Sequence, residues 1–134
     1  MQWYLRGSCF NAKYYMQYNR YMDFASKKCV PCQGGEDPLE RQKVREYLKK
    51  LTSKWRAYDN YTKIKKEFKF GVFGQALEFV NEVGKLAEAE GHHPNIYLHS
   101  YNKVIIRLWT HKIGGLHEND FIMASKIDKI KPTE

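Results

Sequence analysis

Five histidines, His92, His93, His99, His111 and His117, lie in the second half of the chain. Imidazole has an ordinary pKa of about 6.5, so it moves protons at neutral pH. Two of the five are adjacent, in His92-His93-Pro94. Pro94 fixes the local backbone and biases His93 toward an extended shape. Glu88 stands four residues before His92, one helical turn back, where it can orient one ring or hold it cationic. Metal binding is the rival chemistry, because His92, His93, His111 and Glu88 are all permissible ligands. Against it, adjacent histidines rarely point the same way, and no H-E-x-x-H spacing is present. Nucleophilic chemistry has no comparable centre. Ser100 and Ser125 lack an elbow of small residues, and no cysteine lies in this half. On their own, the histidines also fit surface or loop-capping roles.

These residues need elements to hold them. Leu39, Val44, Tyr47, Leu48 and Leu51 fall close to one helical face, which predicts a helix over 39–51. Residues 54–58 and 63–70 read as strands around the turn pair Asp59-Asn60, with Ile64, Phe68 and Phe70 on one face. Residues 72–90 form the strongest helix, with Phe73, Ala76, Leu77, Val80, Val83 and Ala87 as its stripe and Gly91 as its stop. A second strand pair is expected over 96–101 and 104–110, joined at Asn102-Lys103. After the break at Gly114-Gly115, a last helix runs over 117–130. The order α-β-β-α-β-β-α predicts an α+β fold: a four-stranded antiparallel sheet with helices on one face. The bare face and sheet edges need cover, which points to a homo-oligomer. If the last two strands pair, His93 and His111 meet at one cleft. Loops there would carry function on rigid supports.

The chain has 134 residues, 23 Lys+Arg and 15 Asp+Glu, for a net charge of +8. That length suits one domain. No apolar run approaches the roughly 20 residues of a membrane-spanning helix. Five bases and one acid fall in residues 1–35, a net of +4, and the remaining residues carry another +4 over nearly three times the length. Residues 1–37 therefore read as a basic, Tyr-rich extension, loosely docked or flexible, ahead of a domain over 38–134. The break at Gln33-Gly34-Gly35 marks the boundary. The extension lacks the apolar core of a secretory signal, while an acid-poor, Arg-containing start is compatible with organelle targeting. Three cysteines, an odd count, point to a reducing compartment, and the expected location is cytoplasmic. Cys29-Val30-Pro31-Cys32 is a C-x-x-C without the following helix of a thioredoxin motif, and Cys9 makes only a third ligand for zinc. Lysines on the body alternate with apolar residues, as on a solvated sheet face, so nucleic-acid binding is not expected.

Glu88-x3-His92-His93-Pro94, then six residues to Tyr101, nine to His111 and eight to Asp120, resembles the signature of pterin-4a-carbinolamine dehydratases. The resemblance covers about 38–130 and includes Trp55 after the first helix and Tyr101-Asn102-Lys103-Val104 in the second strand pair. Cys29–Cys32 also resembles a segment that precedes the domain in plant-type and some bacterial relatives. The family implies dehydration of a 4a-hydroxytetrahydropterin to a quinonoid dihydropterin, without metal or organic cofactor. It implies that His92 and His111 transfer protons and that His93 binds and orients the pterin. Glu88 would position His92 or contact the pterin, and Trp55 and Thr110 would contact substrate. Pro94 and Asp120 would be structural, Asp120 through the dipole of the last helix. His117 replaces the family's usual Ser or Thr at the helix cap, and Gly91 an acidic residue; His99 and His117 read as bystanders. The implied assembly is a homodimer or homotetramer. Two other functions fit the same fold: a non-catalytic dimerisation cofactor of a transcription factor, and action on another pterin, as in molybdopterin metabolism.

Overall fold

The computed structural model describes residues 24–51 and 54–132. Cys9 and the tyrosines at 4, 14, 15, 18 and 21 lie outside them, as does the start on which organelle targeting would rest. The described elements are α1 (Arg41–Lys50), β1 (Arg56–Tyr58), β2 (Lys63–Lys69), α2 (Phe73–Glu90), β3 (Asn95–His99), β4 (Lys103–Leu108) and α3 (Glu118–Ile127). A 3-10 turn over His111–Ile113 precedes α3. This is the α-β-β-α-β-β-α order read from the sequence. No described helix is long and apolar enough to cross a membrane.

The strands form one antiparallel sheet in the order β1-β2-β4-β3. Strand β4 is internal, and Val104, Ile106 and Leu108 alternate along it into the core. Val44 of α1, Phe79 and Val83 of α2, and Phe121, Met123 and Ile127 of α3 cover them. The other face of β2 presents Lys65, Glu67 and Lys69 to solvent, as the alternation predicted. Register sets the site. Asn95 at the start of β3 lies opposite Arg107 near the end of β4. The chain just before β3 and the chain just after β4 therefore share one end of the sheet.

Two sequence expectations shift. The buried stripe of α2 is Ala76, Phe79, Val83 and Ala87, while Phe73 and Leu77 are exposed. Phe79 sets this rotation: its ring packs 4.7 Å from Phe68 and 5.0 Å from Phe70. The turn between β3 and β4 falls on Ser100 and Tyr101, both with positive φ, rather than on Asn102-Lys103. Asn102 is instead buried, and its side-chain amide donates to the Phe70 carbonyl at 2.7 Å.

Two buried polar clusters were not visible in the sequence. Lys66 lies on the core side of β2 and meets Asp128, just past α3, at 2.7 Å; their side chains are 15% and 8% exposed. The Trp55 indole N–H donates to both Asp128 oxygens at 3.1 Å. In the second cluster, the buried Glu90 carboxylate pairs with Lys126 and accepts the Cys29 backbone N–H at 2.9 Å. That bond belongs to a docked segment. Residues 24–37 pack on the domain, with the Phe24 ring buried 5.0 Å from Tyr47 and 6.0 Å from Phe121. The loose attachment expected for this stretch is replaced by an aromatic anchor between α1 and α3.

Burial alone would raise the Glu90 pKa. The Lys126 ammonium and the Cys29 N–H outweigh burial and hold the carboxyl below its ordinary 4.5. A carboxylate depressed in the folded state adds stability above its unfolded pKa, and that stability is lost as pH falls through the folded value. Urea unfolding from pH 7 to pH 3 is expected to show stability dropping below about pH 4.5, with a flatter acid limb in Glu90→Gln. For the other cluster, Asp128→Leu strands the Lys66 charge and the Trp55 donor, and the expected loss is about 3–5 kcal/mol. The pair Lys66→Met with Asp128→Asn keeps an acceptor for Trp55 and should recover most of that loss in the same measurement.

Candidate active site

Helix α2 ends at Gly91, whose φ of 64° is left-handed and whose N–H returns to the Ala87 carbonyl. The His92 N–H reaches the same carbonyl at 3.2 Å. This closure turns the chain sharply before His92, so the helical spacing from Glu88 no longer applies. His92 Nε2 meets Asp120 Oδ1 at 2.7 Å, not Glu88. Glu88 instead bonds His93 Nε2 at 2.6 Å, at an exposed position. Glu88 thus orients one ring of the pair, His93, and not His92, which the resemblance had given as one of its two roles.

Asp120 is fully buried and serves three elements at once. Its Oδ2 accepts the Thr110 hydroxyl at 3.0 Å and the His117 backbone N–H at 2.9 Å. The second bond is half of a capping box at the start of α3; His117 Nδ1 accepts the Asn119 N–H at 3.1 Å to continue the cap. Asp120 is thus structural, as the resemblance implied, and also holds a histidine ring. His117 is the helix cap, at the position the resemblance implied, and its ring nitrogen does the work of the usual hydroxyl. The Asp120 contact commits one of the two ring nitrogens of His92, Nε2.

His111 opens the 3-10 turn after β4, with its ring centred 4.4 Å from that of Trp109 and tilted 40° to it. The turn is pinned by the Thr110 N–H to the Gly115 carbonyl at 2.8 Å and by Leu39 N–H to the Leu116 carbonyl at 2.8 Å. A Cβ on Gly115 would lie 2.6 Å from Pro38 Cβ, so only glycine allows this approach. His92, His93 and His111 line one open cavity of about 470 Å³, together with Pro94, Trp109 and Thr110. That volume is in the range of small-molecule sites.

The structure does not bring every expected residue here. Trp55 is committed to Asp128 in the core and does not line the cavity. Thr110 lines it, but its hydroxyl donates to Asp120. His99 faces Glu67 across the sheet at 3.2 Å, away from the cavity wall. Among the described residues, no three His, Cys, Asp or Glu side chains group as metal ligands. Sequence reading missed Asn119 and the Cys29–Cys32 segment, which supplies Val30, Pro31 and Cys32 to the cavity. Cys29 itself is half-buried, and burial together with the nearby Glu90 pushes its thiol up to about 12. It stays protonated and unreactive at neutral pH.

The sequence profile described as pterin 4 alpha carbinolamine dehydratase matches residues 37–130. Two bacterial proteins, both provisionally named pterin-4-alpha-carbinolamine dehydratases, are close in sequence. One from Alkaliphilus metalliredigens is 45% identical over 80% of this chain and 95% of its own length. One from Halorhodospira halophila is 47% identical over 81% of this chain and 98% of its own. The crystal structure of a transcriptional coactivator/pterin dehydratase from Brucella melitensis superposes with a TM-score of 0.63 at 33% identity, covering 69% of this chain and 96% of that one. A pterin dehydratase-like protein described as a RuBisCO assembly factor of the alpha-carboxysome superposes with a TM-score of 0.50 at 27% identity, covering 57% and 88%. Profile, relatives and fold agree with one another, and the chain belongs to the pterin 4 alpha carbinolamine dehydratase family.

Proposed function

We propose that this chain is a hydro-lyase that dehydrates 4a-hydroxytetrahydrobiopterin to quinonoid dihydrobiopterin, as in tetrahydrobiopterin recycling. The observation that carries this reading is the set of three histidines on one cavity, with the least exposed of them held by a buried carboxylate. Elimination needs an acid for the departing 4a-hydroxyl and a base for the N5 proton. His92 and His111 are the proton-transfer pair, and no metal or organic cofactor takes part. Asp120 fixes the His92 ring so that Nδ1 exchanges the proton. His93, held by Glu88, binds and orients the pterin from the exposed rim. A purely binding role, of the kind the coactivator and assembly-factor relatives suggest, does not require this geometry.

The family's association into a homodimer or homotetramer is also proposed here. Val72, Phe73 and Leu77 support it, since they expose apolar surface along the start of α2. Leu77→Lys is expected to shift the protein toward monomer in light scattering, without loss of helical circular dichroism.

The activity is tested by following freshly generated 4a-hydroxytetrahydrobiopterin by its ultraviolet absorbance. His92→Ala and His111→Ala should each lower kcat by roughly 10²–10⁴-fold, and the double variant should approach the uncatalysed rate. Asp120→Asn can donate its amide to His92 Nε2 and force the other tautomer; kcat should fall about 10²-fold or more in a folded protein. No acceleration by the folded wild type would remove the dehydratase reading and leave a binding role.

A further inference from the structure

The segment Cys29–Cys32 is held by side chains from three elements. Glu90, near the end of α2, accepts the Cys29 N–H. Asn119, in the first turn of α3, accepts the Val30 N–H at 3.0 Å and donates to the Val30 carbonyl at 2.7 Å. Lys112, in the 3-10 turn, donates to the Cys32 carbonyl at 2.9 Å. The Asn119 amide thus pairs with one residue's backbone as a neighbouring strand would. Each anchor also neighbours a residue of the proton-handling set. Glu90 is two residues before His92, Asn119 adjoins Asp120, and Lys112 adjoins His111. The segment is therefore fixed beside the histidines by residues next to them in the chain.

Between these anchors, Val30, Pro31 and Cys32 face the histidine cavity. Val30 and Pro31 offer no group that moves a proton. What they offer is apolar surface against a planar ligand and exclusion of water from one side. Resting on the pterin reading above, we propose that Val30-Pro31-Cys32 is a fixed wall of the pterin site, which sets substrate binding and takes no part in proton transfer. The C-x-x-C spacing is then a consequence of wall packing: one cysteine is turned inward against α3, with its thiol 3.7 Å from the Asn119 carbonyl, and the other lies on the cavity.

The test uses the full chain. Alkylation of Cys32 by iodoacetamide is followed by mass spectrometry, with and without saturating 7,8-dihydrobiopterin as the probe, and steady-state kinetics are measured beside it. In the wild type, the pterin should slow Cys32 alkylation several-fold. Asn119→Ala loses both bonds to Val30; it should speed that alkylation and raise KM roughly tenfold, with kcat within about twofold. Pro31→Gly alters the wall without touching an anchor and should raise KM in the same direction, so the proposal stays testable if Asn119→Ala unfolds. An active wild type that binds dihydrobiopterin without protecting Cys32 overturns the wall. So do variants whose KM is unchanged or whose kcat alone falls. A wild type that neither accelerates dehydration nor binds dihydrobiopterin overturns the dehydratase reading, and the wall with it.

Discussion

The buried carboxylate of Asp120 is the contact on which the rest of the site depends. It accepts from the His92 ring, the Thr110 hydroxyl and the His117 backbone. Those partners come from the loop after α2, the end of β4 and the cap of α3. One side chain thus fastens three chain segments at a single point. A buried carboxylate is tolerated only when its lone pairs are met, and here donors on both oxygens meet them. The start of α3 adds a favourable dipole for a negative group. The carboxylate that caps the helix through one oxygen therefore holds, through the other, the ring we propose as a proton-transfer group. Stability and chemistry cannot be separated at this position, since loss of the carboxylate both frays the helix and frees the ring.

The second constraint is the antiparallel pairing of β3 with β4. With Asn95 opposite Arg107, His93 and Trp109 must lie at the same end of the sheet, wherever the helices pack. Because β4 is internal, its end is held on both sides, by β2 and by β3. The loop that carries His111 grows from this rigid strand and is pinned again by Gly115 against Pro38. Loops supply the histidines, and the sheet supplies their relative placement.

Much of this was legible in the sequence, for reasons that differ by element. Strand β4 is a short β-branched run, Val104-Ile105-Ile106, and α2 carries apolar residues every three or four positions, so type and order were legible. The rotation of α2 did not, because Phe73, Leu77 and Phe79 are equally apolar and only contact with Phe68 and Phe70 selects Phe79. The histidines were found by type and spacing. The carboxylate that holds His92 was not, since it lies 28 residues away and Glu88 was nearer along the chain. Trp55 was misplaced for a related reason: an indole fits a ligand wall as well as a core, and its partner Asp128 is 73 residues distant. Local rules reach about one helical turn, and these contacts are tertiary.

Charge illustrates the same limit from the other side. The sequence carries a net +8, yet part of that charge is taken up in ion pairs with acids. Lys126 is spent on Glu90, and Lys27 on Glu118 at 2.7 Å. Lys65 and Lys69 project from the solvated face of β2, with Lys65 over the Tyr58 ring at 4.8 Å. Much of the net charge therefore lies on the sheet face and in ion pairs, while Lys112 brings one cation to the cavity wall. What the proposed proton transfer needs is an imidazole with one nitrogen committed and one available. A single buried carboxylate provides that more directly than any field summed over the surface, because its effect acts at hydrogen-bond distance and is little screened by salt.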